Sequence, residues 1–320
     1  MQLTEIRKAA VLGTGQMGPG IAYTLACAGC TVTLFGRTPE SADRGLRAVT
    51  AAVETLVRGE VLSPTDGADI LARITGSTDL AAAVADADLV TESIAEDLRT
   101  KQDLFVRLEG LCPSRTMLTS NTSGLPATQL ARPLQRPERF AVTHYWNPPH
   151  LMQLVEIVKG EHTSQATIDR LVALLRRAGK QTAVVKKDIP GQLGVRLFNG
   201  VIREAIWLVQ EGYATPEDVD TAIKNGFGLR FPVWGVFEHL DAQGLDTVLA
   251  IQSYMFKELC NDTDAAWILK DKVASGELGA RVGRGFYDWS HRDLTAIKKR
   301  RDEFLLEHLK AQRRKDTPTA

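Results

Sequence analysis

The stretch Val11-Leu12-Gly13-Thr14-Gly15-Gln16-Met17-Gly18 decides how the first part of this chain folds. An apolar run at residues 9–12 predicts a buried strand, and residues 16–28, which end before a glycine, predict a helix. Thr31–Phe35 then predicts a second strand. Strand, helix and strand together make one βαβ unit, with the glycines in its first connection.

The three glycines have the spacing G-x-G-x-x-G, in which each has a separate task. Gly13 permits a tight turn, Gly15 lets the backbone approach a pyrophosphate, and Gly18 lets helix and strand pack closely. The pyrophosphate would rest on the helix N-terminus, where free N–H groups attract negative charge. The stretch predicts a dinucleotide site with Gly13, Gly15, Gln16, Met17 and Gly18 as cofactor contacts. The alternative is a glycine-rich turn without a ligand.

Composition limits the classes of protein to which the chain can belong. Its 320 residues include 39 Lys and Arg against 39 Asp and Glu, and 44% are apolar. This length allows two domains with real cores, and the balanced charge argues against nucleic acid or an anionic membrane as a partner. The first seven residues lack a signal-peptide core, and no apolar run approaches the roughly 18 residues of a membrane span. We therefore expect a cytoplasmic protein that acts on small molecules.

The four cysteines are too few and too scattered for a disulfide framework, although Cys27-Ala28-Gly29-Cys30 spells C-x-x-C. Reactive pairs of this kind lie at a helix N-terminus, whereas this one falls at a helix C-terminus, where the dipole raises a thiol pKa. No second pair completes a zinc site. The sequence predicts packing cysteines and no metal.

Short apolar or β-branched runs alternate with helical stretches as far as residue 187, which is typical of a mostly parallel sheet wrapped by helices. Residues 39–61 predict a long helix, which Leu62-Ser63-Pro64 breaks into a hairpin. Further strands are predicted at residues 74–78, 89–93, 116–120, 140–144, 154–159 and 182–187. The predicted fold class is α/β, with a Rossmann-type doubly wound sheet over residues 1–188 and a smaller all-α domain after it.

From residue 189 onward the strand pattern gives way to helical periodicity. Residues 189–320 are predicted to form a helical domain for substrate binding and dimerisation, because one apolar stripe per helix needs its own core or a second copy to cover it. A homodimer is expected. The basic runs at residues 298–301 and 313–315 resemble a nucleic-acid patch, but interleaved acids and a partial apolar face favour a solvated terminal helix.

Four further segments follow the glycine motif in order along the chain: Ser120-Asn121-Thr122-Ser123-Gly124, His144-Tyr145-Trp146-Asn147-Pro148-Pro149, Leu154-Val155-Glu156-Ile157-Val158 and Gly283-Arg284-Gly285-Phe286-Tyr287. With that motif they resemble the 3-hydroxyacyl-CoA dehydrogenase family, from about Lys8 to Trp289. The resemblance implies an NAD(P)-dependent dehydrogenase that acts on a CH–OH group.

A histidine followed on the next strand by a glutamate suits a dehydrogenase of hydroxyl groups. His144 can take the hydroxyl proton, because imidazole exchanges protons near neutral pH. Glu156 can accept a hydrogen bond from the other ring nitrogen and stabilise the imidazolium that forms. The matching residues of the family form such a catalytic pair. Without these neighbours, His144 would be interpreted as a core histidine.

The resemblance assigns roles to five more residues. Ser123 matches the serine that contacts the reacting oxygen, which makes it a catalytic and substrate-binding candidate, although the same turn would also cap a helix. Asn147, Glu96 and Lys101 match cofactor contacts, and Arg281 matches a basic cofactor contact in the second domain. Without the resemblance, Glu96 and Lys101 would be an exposed helical pair and Arg281 a surface charge.

Two positions depart from the family pattern. Where members carry an asparagine beside the substrate oxygen this chain has Val195, and Asn199, one helical turn on, is the candidate replacement for substrate binding; packing or capping is its alternative role. Gly36 replaces the carboxylate that accepts the ribose hydroxyls of NAD, and Arg37 follows it. Since a glycine removes repulsion toward a 2′-phosphate and an arginine can pair with it, NADP is preferred to NAD. The alternative is a surface arginine in an NAD enzyme.

Two segments bear on the substrate. Members that use CoA carry a lysine-rich run in the hairpin, whereas residues 48–64 here offer only Arg58 as a cation. Gly228-Leu229-Arg230-Phe231 resembles a segment of members that act on free hydroxy acids, such as the gulonate and carnitine dehydrogenases, and Arg230 would clamp a carboxylate there. A solvent-facing loop arginine is the alternative.

The sequence therefore predicts hydride transfer at a secondary, 3-position hydroxyl or ketone of a small hydroxy acid. A 3-hydroxyacyl-CoA such as 3-hydroxybutyryl-CoA is the alternative substrate. A non-catalytic dinucleotide-binding or structural protein is the second alternative. Val195 favours it, and the intact pair of His144 and Glu156 argues against it.

Overall fold

The structure, a computed structural model, describes residues 5–316, and of residues 314–316 the backbone alone. Residues 5–195 and 299–316 form one compact unit, and Arg196–Lys298 form a second. Two sequence predictions fall partly outside the described residues. They concern residues 1–4 of the N-terminal segment, which was searched for a signal peptide, and the side chains at 314 and 315 of the second basic run; residues 317–320 are not described either.

The first unit is built on one eight-stranded sheet, and every strand predicted from the sequence is present to within two residues at each end. The sheet order is β3-β2-β1-β4-β5-β6-β7-β8, and all neighbours are parallel except β6 and β7. The strands are β1 (Lys8–Leu12), β2 (Thr31–Phe35), β3 (Ile74–Ser77), β4 (Leu89–Glu92), β5 (Met117–Ser120), β6 (Phe140–Tyr145), β7 (Leu154–Val158) and β8 (Gln181–Val185).

Helices cover both faces of this sheet, as a doubly wound fold requires. They are α1 (Gly18–Cys27), α2 (Pro39–Arg58), α3 (Pro64–Ala72), α4 (Leu80–Val84), α5 (Leu98–Leu111), α6 (Ala127–Ala131) and α7 (Gln165–Arg177). Alternate side chains of β1 enter the two cores: Val11 packs with α1 on one face, whereas Ala10 and Leu12 pack with α4 and α5 on the other. The α/β fold class is thereby confirmed.

Local signals decide where these helices begin and end. Thr38 caps α2 through the Ser41 N–H, and Pro64 opens α3 after a break, so the predicted hairpin is present. Helix α2 ends at Arg58, three residues earlier than predicted. Cys27 is the last residue of α1, and burial raises the pKa of its thiol, which agrees with a packing role.

The second unit is helical, as predicted. Its helices are α8 (Gly194–Gln210), whose first two residues belong to the first unit, α9 (Pro216–Asn225), α10 (Val236–Gln243), α11 (Leu245–Glu258), α12 (Trp267–Ala274) and the start of α13 (Leu294–Asp316). Thr215 caps α9 with Asp218 in a reciprocal capping box. Val248 and Cys260 are buried, while many large apolar side chains of this unit are exposed.

The prediction of a solvated terminal helix holds for residues 294–301 of α13, which are exposed, and is wrong for one face of the later part. Leu305, Leu306 and Leu309 pack into the core that contains α1, α2 and α3, and Lys310 pairs with Glu60 in the turn between α2 and α3. A partial apolar face is enough to hold the helix against the sheet domain, because Leu309 is buried and Leu305 and Leu306 are partly buried while the polar face keeps its contact with water. The domain division therefore has a returning C-terminal segment rather than a single boundary at residue 188. Within residues 5–316, no helix is long and apolar enough to cross a bilayer.

Candidate functional site

The strand order reverses between β1 and β4, and a cavity of about 1220 Å³ lies where these strands end. In open α/β sheets ligands bind at this point, outside the carboxyl ends of the strands. The loops that follow β1, β2, β3 and β4 all contribute to its wall. The lining includes Gly13, Thr14, Gly15, Gln16, Met17, Gly36, Arg37, Ser41, Arg44, Asp79, Ser93, Arg107 and Asn121.

The glycines of the first loop have the geometry that their spacing predicts. Gly13 has φ of +117°, and a Cβ there would lie 2.3 Å from the Ser93 carbonyl oxygen. A Cβ on Gly18 would lie 1.8 Å from the Gly13 carbonyl oxygen, so helix and loop pack without room for a methyl group. At Gly15 no described atom lies within 4 Å of the Cβ position, which leaves the backbone open to a ligand.

The start of α1 suits an anion. The helix begins at Gly18, two residues later than predicted, so Gln16 and Met17 belong to the loop that lines the cavity. Within the described chain, no side chain caps this helix. Uncapped N–H groups at a helix start bind phosphate, and with the open approach at Gly15 the residues present fit a dinucleotide pyrophosphate.

Where β2 ends, Gly36 has a packing reason of its own. A Cβ there would lie 2.6 Å from the Ala42 nitrogen and from Ser41 Oγ, because the start of α2 crosses this point. Glycine is therefore required whichever cofactor is bound. Arg37 and Arg44 line the cavity beside it and are exposed.

Lys101 and Glu96 belong to one ionic network, in which Lys101 and Glu92 are buried and Glu96 is exposed. Lys101 is 1% exposed, and its Nζ donates to Glu92 Oε1 at 2.6 Å and lies 3.3 Å from Glu96 Oε2. Glu92 Oε1 also accepts the Ile94 N–H at 2.6 Å, so the network holds the loop that lines the cavity. The alternative of an exposed helical pair is wrong, because α5 turns Lys101 toward the end of β4, where a buried ammonium needs an anionic partner. Direct contact of Glu96 or Lys101 with a cofactor stays a prediction.

His144 and Glu156 face each other across the one antiparallel strand pair of the sheet. They are directly opposite in register on β6 and β7, and His144 Nδ1 lies 2.7 Å from Glu156 Oε2. His144 is 6% exposed and Glu156 is fully buried. Because the carboxylate accepts a hydrogen bond from Nδ1–H, the neutral imidazole keeps its proton on Nδ1 and its lone pair on Nε2. The arrangement can therefore accept a proton at Nε2 and stabilise the resulting imidazolium.

Four donors surround the Glu156 carboxylate. Besides His144, Trp146 Nε1 donates to Oε2 at 3.0 Å, and the backbone N–H groups of Leu193 and Gly194 donate to Oε1 at 2.9 and 2.7 Å. Burial acts to raise the pKa of Glu156, but the hydrogen bonds from His144, Gly194 and Trp146 outweigh it and lower that pKa to about 2. The side chain is thus an anion at any pH at which the protein would work.

Ser123 lies in the turn after β5, which is hydrogen-bonded to Glu96 of the ionic network and to the strand that carries His144. Asn121 Oδ1 accepts the N–H of Tyr145, the neighbour of His144, at 2.9 Å, and Glu96 Oε1 accepts the Ser123 N–H at 3.2 Å. Ser123 is exposed. The capping alternative is wrong, since the next helix, α6, begins after Pro126 with no side-chain cap from the described residues.

The other predicted residues are spread over both units. Asn147 is exposed and directly follows Trp146 on the loop after β6, whereas Asn199, Arg230 and Arg281 belong to the second unit, where each is exposed. Val195, where the family asparagine is missing, immediately follows Gly194, whose N–H binds Glu156.

Three site residues are absent from the sequence predictions, and one of them carries a signal that could have found it. Glu92 is a charge at the end of an apolar strand, and such a position does predict a buried partner. Trp146 and Arg44 give no such signal, since in the sequence Trp146 resembles a core aromatic residue and Arg44 resembles a surface charge of α2.

Comparison with known families agrees with this geometry. The NAD binding domain of 3-hydroxyacyl-CoA dehydrogenase matches residues 8–189, and the C-terminal domain of the same family matches residues 191–289.

Individual relatives match over nearly the whole chain. A 5-formyl-3-hydroxy-2-methylpyridine 4-carboxylate 5-dehydrogenase of Mesorhizobium japonicum is 32% identical, covering 94% of this chain and 96% of its own. A probable 3-hydroxybutyryl-CoA dehydrogenase of Bacillus subtilis is 37% identical, covering 90% of this chain and 99% of its own.

A crystal structure of a 5-formyl-3-hydroxy-2-methylpyridine 4-carboxylic acid 5-dehydrogenase, described as an NAD+-dependent dismutase, superimposes with a TM-score of 0.87 at 32% identity and covers 94% of this chain and 97% of its own. The matches span both domains in chain order. The chain belongs to the 3-hydroxyacyl-CoA dehydrogenase family and is an NAD-dependent dehydrogenase that acts on a hydroxyl group.

Proposed function

We propose that the chain interconverts the 3-hydroxyl and 3-keto forms of a small hydroxy acid, with His144 as general base, Glu156 as its orienting anion and Ser123 as the group that holds the reacting oxygen. The observation that carries this proposal is the 2.7 Å contact between His144 Nδ1 and Glu156 Oε2. When bound, a nicotinamide dinucleotide supplies the hydride acceptor or donor at the substrate carbon.

The residues of the chain handle the proton. In the oxidative direction His144 Nε2 takes the hydroxyl proton, and the positive charge that forms on the ring is stabilised by Glu156. Ser123, exposed on its turn, donates a hydrogen bond to the same oxygen. In the reductive direction the same nitrogen returns the proton.

Two arginines support NADP as the preferred cofactor. Arg37 and Arg44 both line the cavity where β2 ends, and within residues 5–316 neither forms an ion pair, so both are available to a 2′-phosphate. The packing around Gly36 weakens the part of the argument that rests on the missing carboxylate. The family's NAD binding domain and the NAD+-dependent dismutase structure point to NAD as the alternative.

A free acid is favoured over a CoA thioester by the hairpin of α2 and α3. Arg58 is the one cation between residues 48 and 64. The turn after Arg58 is covered by α13, whose Leu306 side chain lies against Gly59. The similarity to a pyridine carboxylate dehydrogenase points the same way. In the second unit, Arg230 would clamp the substrate carboxylate and Asn199 would supply a polar contact. The 37% identity to a probable 3-hydroxybutyryl-CoA dehydrogenase keeps that thioester as the second candidate.

A homodimer is proposed from the exposed apolar side chains of the second unit. Val233 is 87% exposed and Phe237 81%, and α11 exposes Leu249 and Phe256 as well. Apolar surface of this extent marks an interface. Light scattering should give twice the 35.0 kDa mass of the chain.

The test of the catalytic proposal is His144→Ala against His162→Ala, which alters an exposed histidine outside the site. We expect H144A to lose about two to four orders of magnitude in kcat with its fold intact, because the proton acceptor is gone, and H162A to behave as the wild type. An H144A variant that keeps most of its turnover on the true substrate would overturn the proposal.

The substrate and cofactor are decided by a thermal-shift panel of NAD, NADP, free 3-hydroxy acids and 3-hydroxyacyl-CoA thioesters, since ligands that bind the folded state raise Tm. Stabilisation by NADP at lower concentrations than NAD supports the roles of Arg37 and Arg44. The reverse order contradicts them, and stabilisation by a thioester but no free acid contradicts the role of Arg230.

A further inference from the structure

The Glu156 carboxylate is bound on both oxygens, and one of its donors is an indole. Oε1 accepts two backbone N–H groups at the start of α8, and Oε2 accepts His144 Nδ1 at 2.7 Å and Trp146 Nε1 at 3.0 Å. His144 and Trp146 thus share a single oxygen. His144 is the one of these donors that takes up a charge, and the other three remain neutral.

The indole is held in place by the backbone of α8. A Cβ on Gly194 would lie 2.7 Å from Trp146 Cζ2 and 3.4 Å from Glu156 Oε2, so the ring lies directly against this glycine. Its centre is 5.8 Å from that of the His144 ring, at an angle of 53°. The indole therefore lies against both the helix start and the His144 ring while its Nε1 donates to Oε2.

We propose that Trp146 is a positioning residue of the His144–Glu156 pair, which fixes the carboxylate and moderates how strongly it favours the imidazolium. This inference rests on the proposed function of the pair. A donor on Oε2 withdraws negative charge from the oxygen that binds His144. It also prevents the carboxylate from turning, so that Nδ1 stays bound and Nε2 keeps the lone pair that accepts the substrate proton.

Removing the indole N–H should change two measurable quantities. Without the second donor, Oε2 carries more negative charge and stabilises the His144 imidazolium more strongly than it does in the wild type. The base form of the ring is then reached only at higher pH. We expect Trp146→Phe to move the acidic limb of the kcat/KM profile for alcohol oxidation up by about 0.5 to 1 pH unit. We also expect kcat to fall about three- to tenfold while KM for the dinucleotide stays within twofold, because a looser pair holds its geometry for less of the time.

The experiment compares W146F with Trp267→Phe, which removes an exposed indole from the second unit, and with H144A measured in parallel. Circular dichroism confirms the fold of each variant. A shifted acidic limb in W146F and an unchanged one in W267F supports the proposal. A W146F profile that coincides with the wild type, when H144A is inactive, overturns the role of Trp146 alone, whereas an active H144A overturns the proposed function together with it.

A second measurement needs neither turnover nor a folded W146F. In the 15N-tryptophan spectrum of the wild type, the indole N–H bound to the Glu156 carboxylate should be the one that shifts upfield in Glu156→Gln, since a carboxamide oxygen is a weaker acceptor. Five tryptophans give five such signals. If none of them responds to E156Q, the shared hydrogen bond is absent and the proposal fails.

Discussion

Glu156 acts as a fixed negative charge because of what surrounds it rather than because of its own chemistry. A fully buried carboxylate in an apolar site would take up a proton, since burial disfavours the charged form. Here two backbone N–H groups at the start of α8, an indole and an imidazole compensate for the lost water. The charge is retained, and it can orient His144.

The same carboxylate predicts how stability depends on pH. Its pKa in the folded protein is about 2, below the ordinary value of 4.5, so its contribution is fully present above pH 4.5 and is lost as the pH falls toward 2. We expect wild-type protein to lose about 2 to 3 kcal/mol of unfolding free energy over this interval from this group. Urea unfolding at several pH values measures this loss.

Glu156→Gln is the comparison for that measurement. The variant lacks the titrating group, so its unfolding free energy should fall less over the same interval. Equal losses in the two proteins would mean that Glu156 is not the source of the acid sensitivity. E156Q should also lower kcat by about two orders of magnitude or more, because the imidazolium loses its counter-charge.

At the scale of elements, Gly15 and Gly18, in the first loop and at the start of α1, belong to the same motif but have different roles. Gly18 is forced by contact with the Gly13 carbonyl, whereas the space at Gly15 is open. The motif spacing predicts both, because the turn geometry after the first strand repeats wherever a dinucleotide is bound this way.

Alanine at these two positions should separate stability from binding. Gly18→Ala must displace α1 from its loop and should lower the unfolding free energy by at least about 2 kcal/mol. Gly15→Ala should leave stability within about 1 kcal/mol of the wild type while weakening dinucleotide binding, because its methyl group enters the open approach. Denaturation and a cofactor titration on each variant measure both effects. A stable G18A, or a G15A that binds normally, would contradict these assignments.

The elements themselves were largely predictable. All eight strands follow from short apolar or β-branched runs, and the break between α2 and α3 follows from a proline, because these signals act within a few residues of the chain. Helix α1 was misjudged by two residues at its start, because Gln16 and Met17 favour helix locally but are drawn into the loop by the contact between Gly13 and Gly18.

At the scale of the whole molecule, the terminal helix returns to the first unit. Its leucines join the core under α2 and α3, and Lys310 pairs with Glu60. The sequence pattern underestimates this contact, because a helix that is strongly charged overall reveals only a narrow apolar stripe. The C-terminal segment therefore stabilises the cofactor domain from a distance of more than 200 residues along the chain.

Leu309→Ala should lower the unfolding free energy of the sheet domain by about 2 to 3 kcal/mol, because it empties a buried leucine site. Phe304→Ala, on the same helix but 59% exposed, is the control and should change it by less than about 0.5 kcal/mol. Thermal unfolding followed by calorimetry compares the two. Equal losses of unfolding free energy in L309A and F304A would mean that Leu309 does not anchor α13 to the sheet domain.

The α/β class, the strands, the glycine loop and the pairing of a histidine with a glutamate can be predicted from the amino-acid sequence, because each depends on residues close together or on a motif with fixed spacing. The folded structure was needed to see that Lys101 is buried against Glu92, that Trp146 shares Glu156 with His144, and that the last helix packs on the first unit. These contacts join residues from different elements. Their energies depend on burial and distance in three dimensions, which no local pattern records.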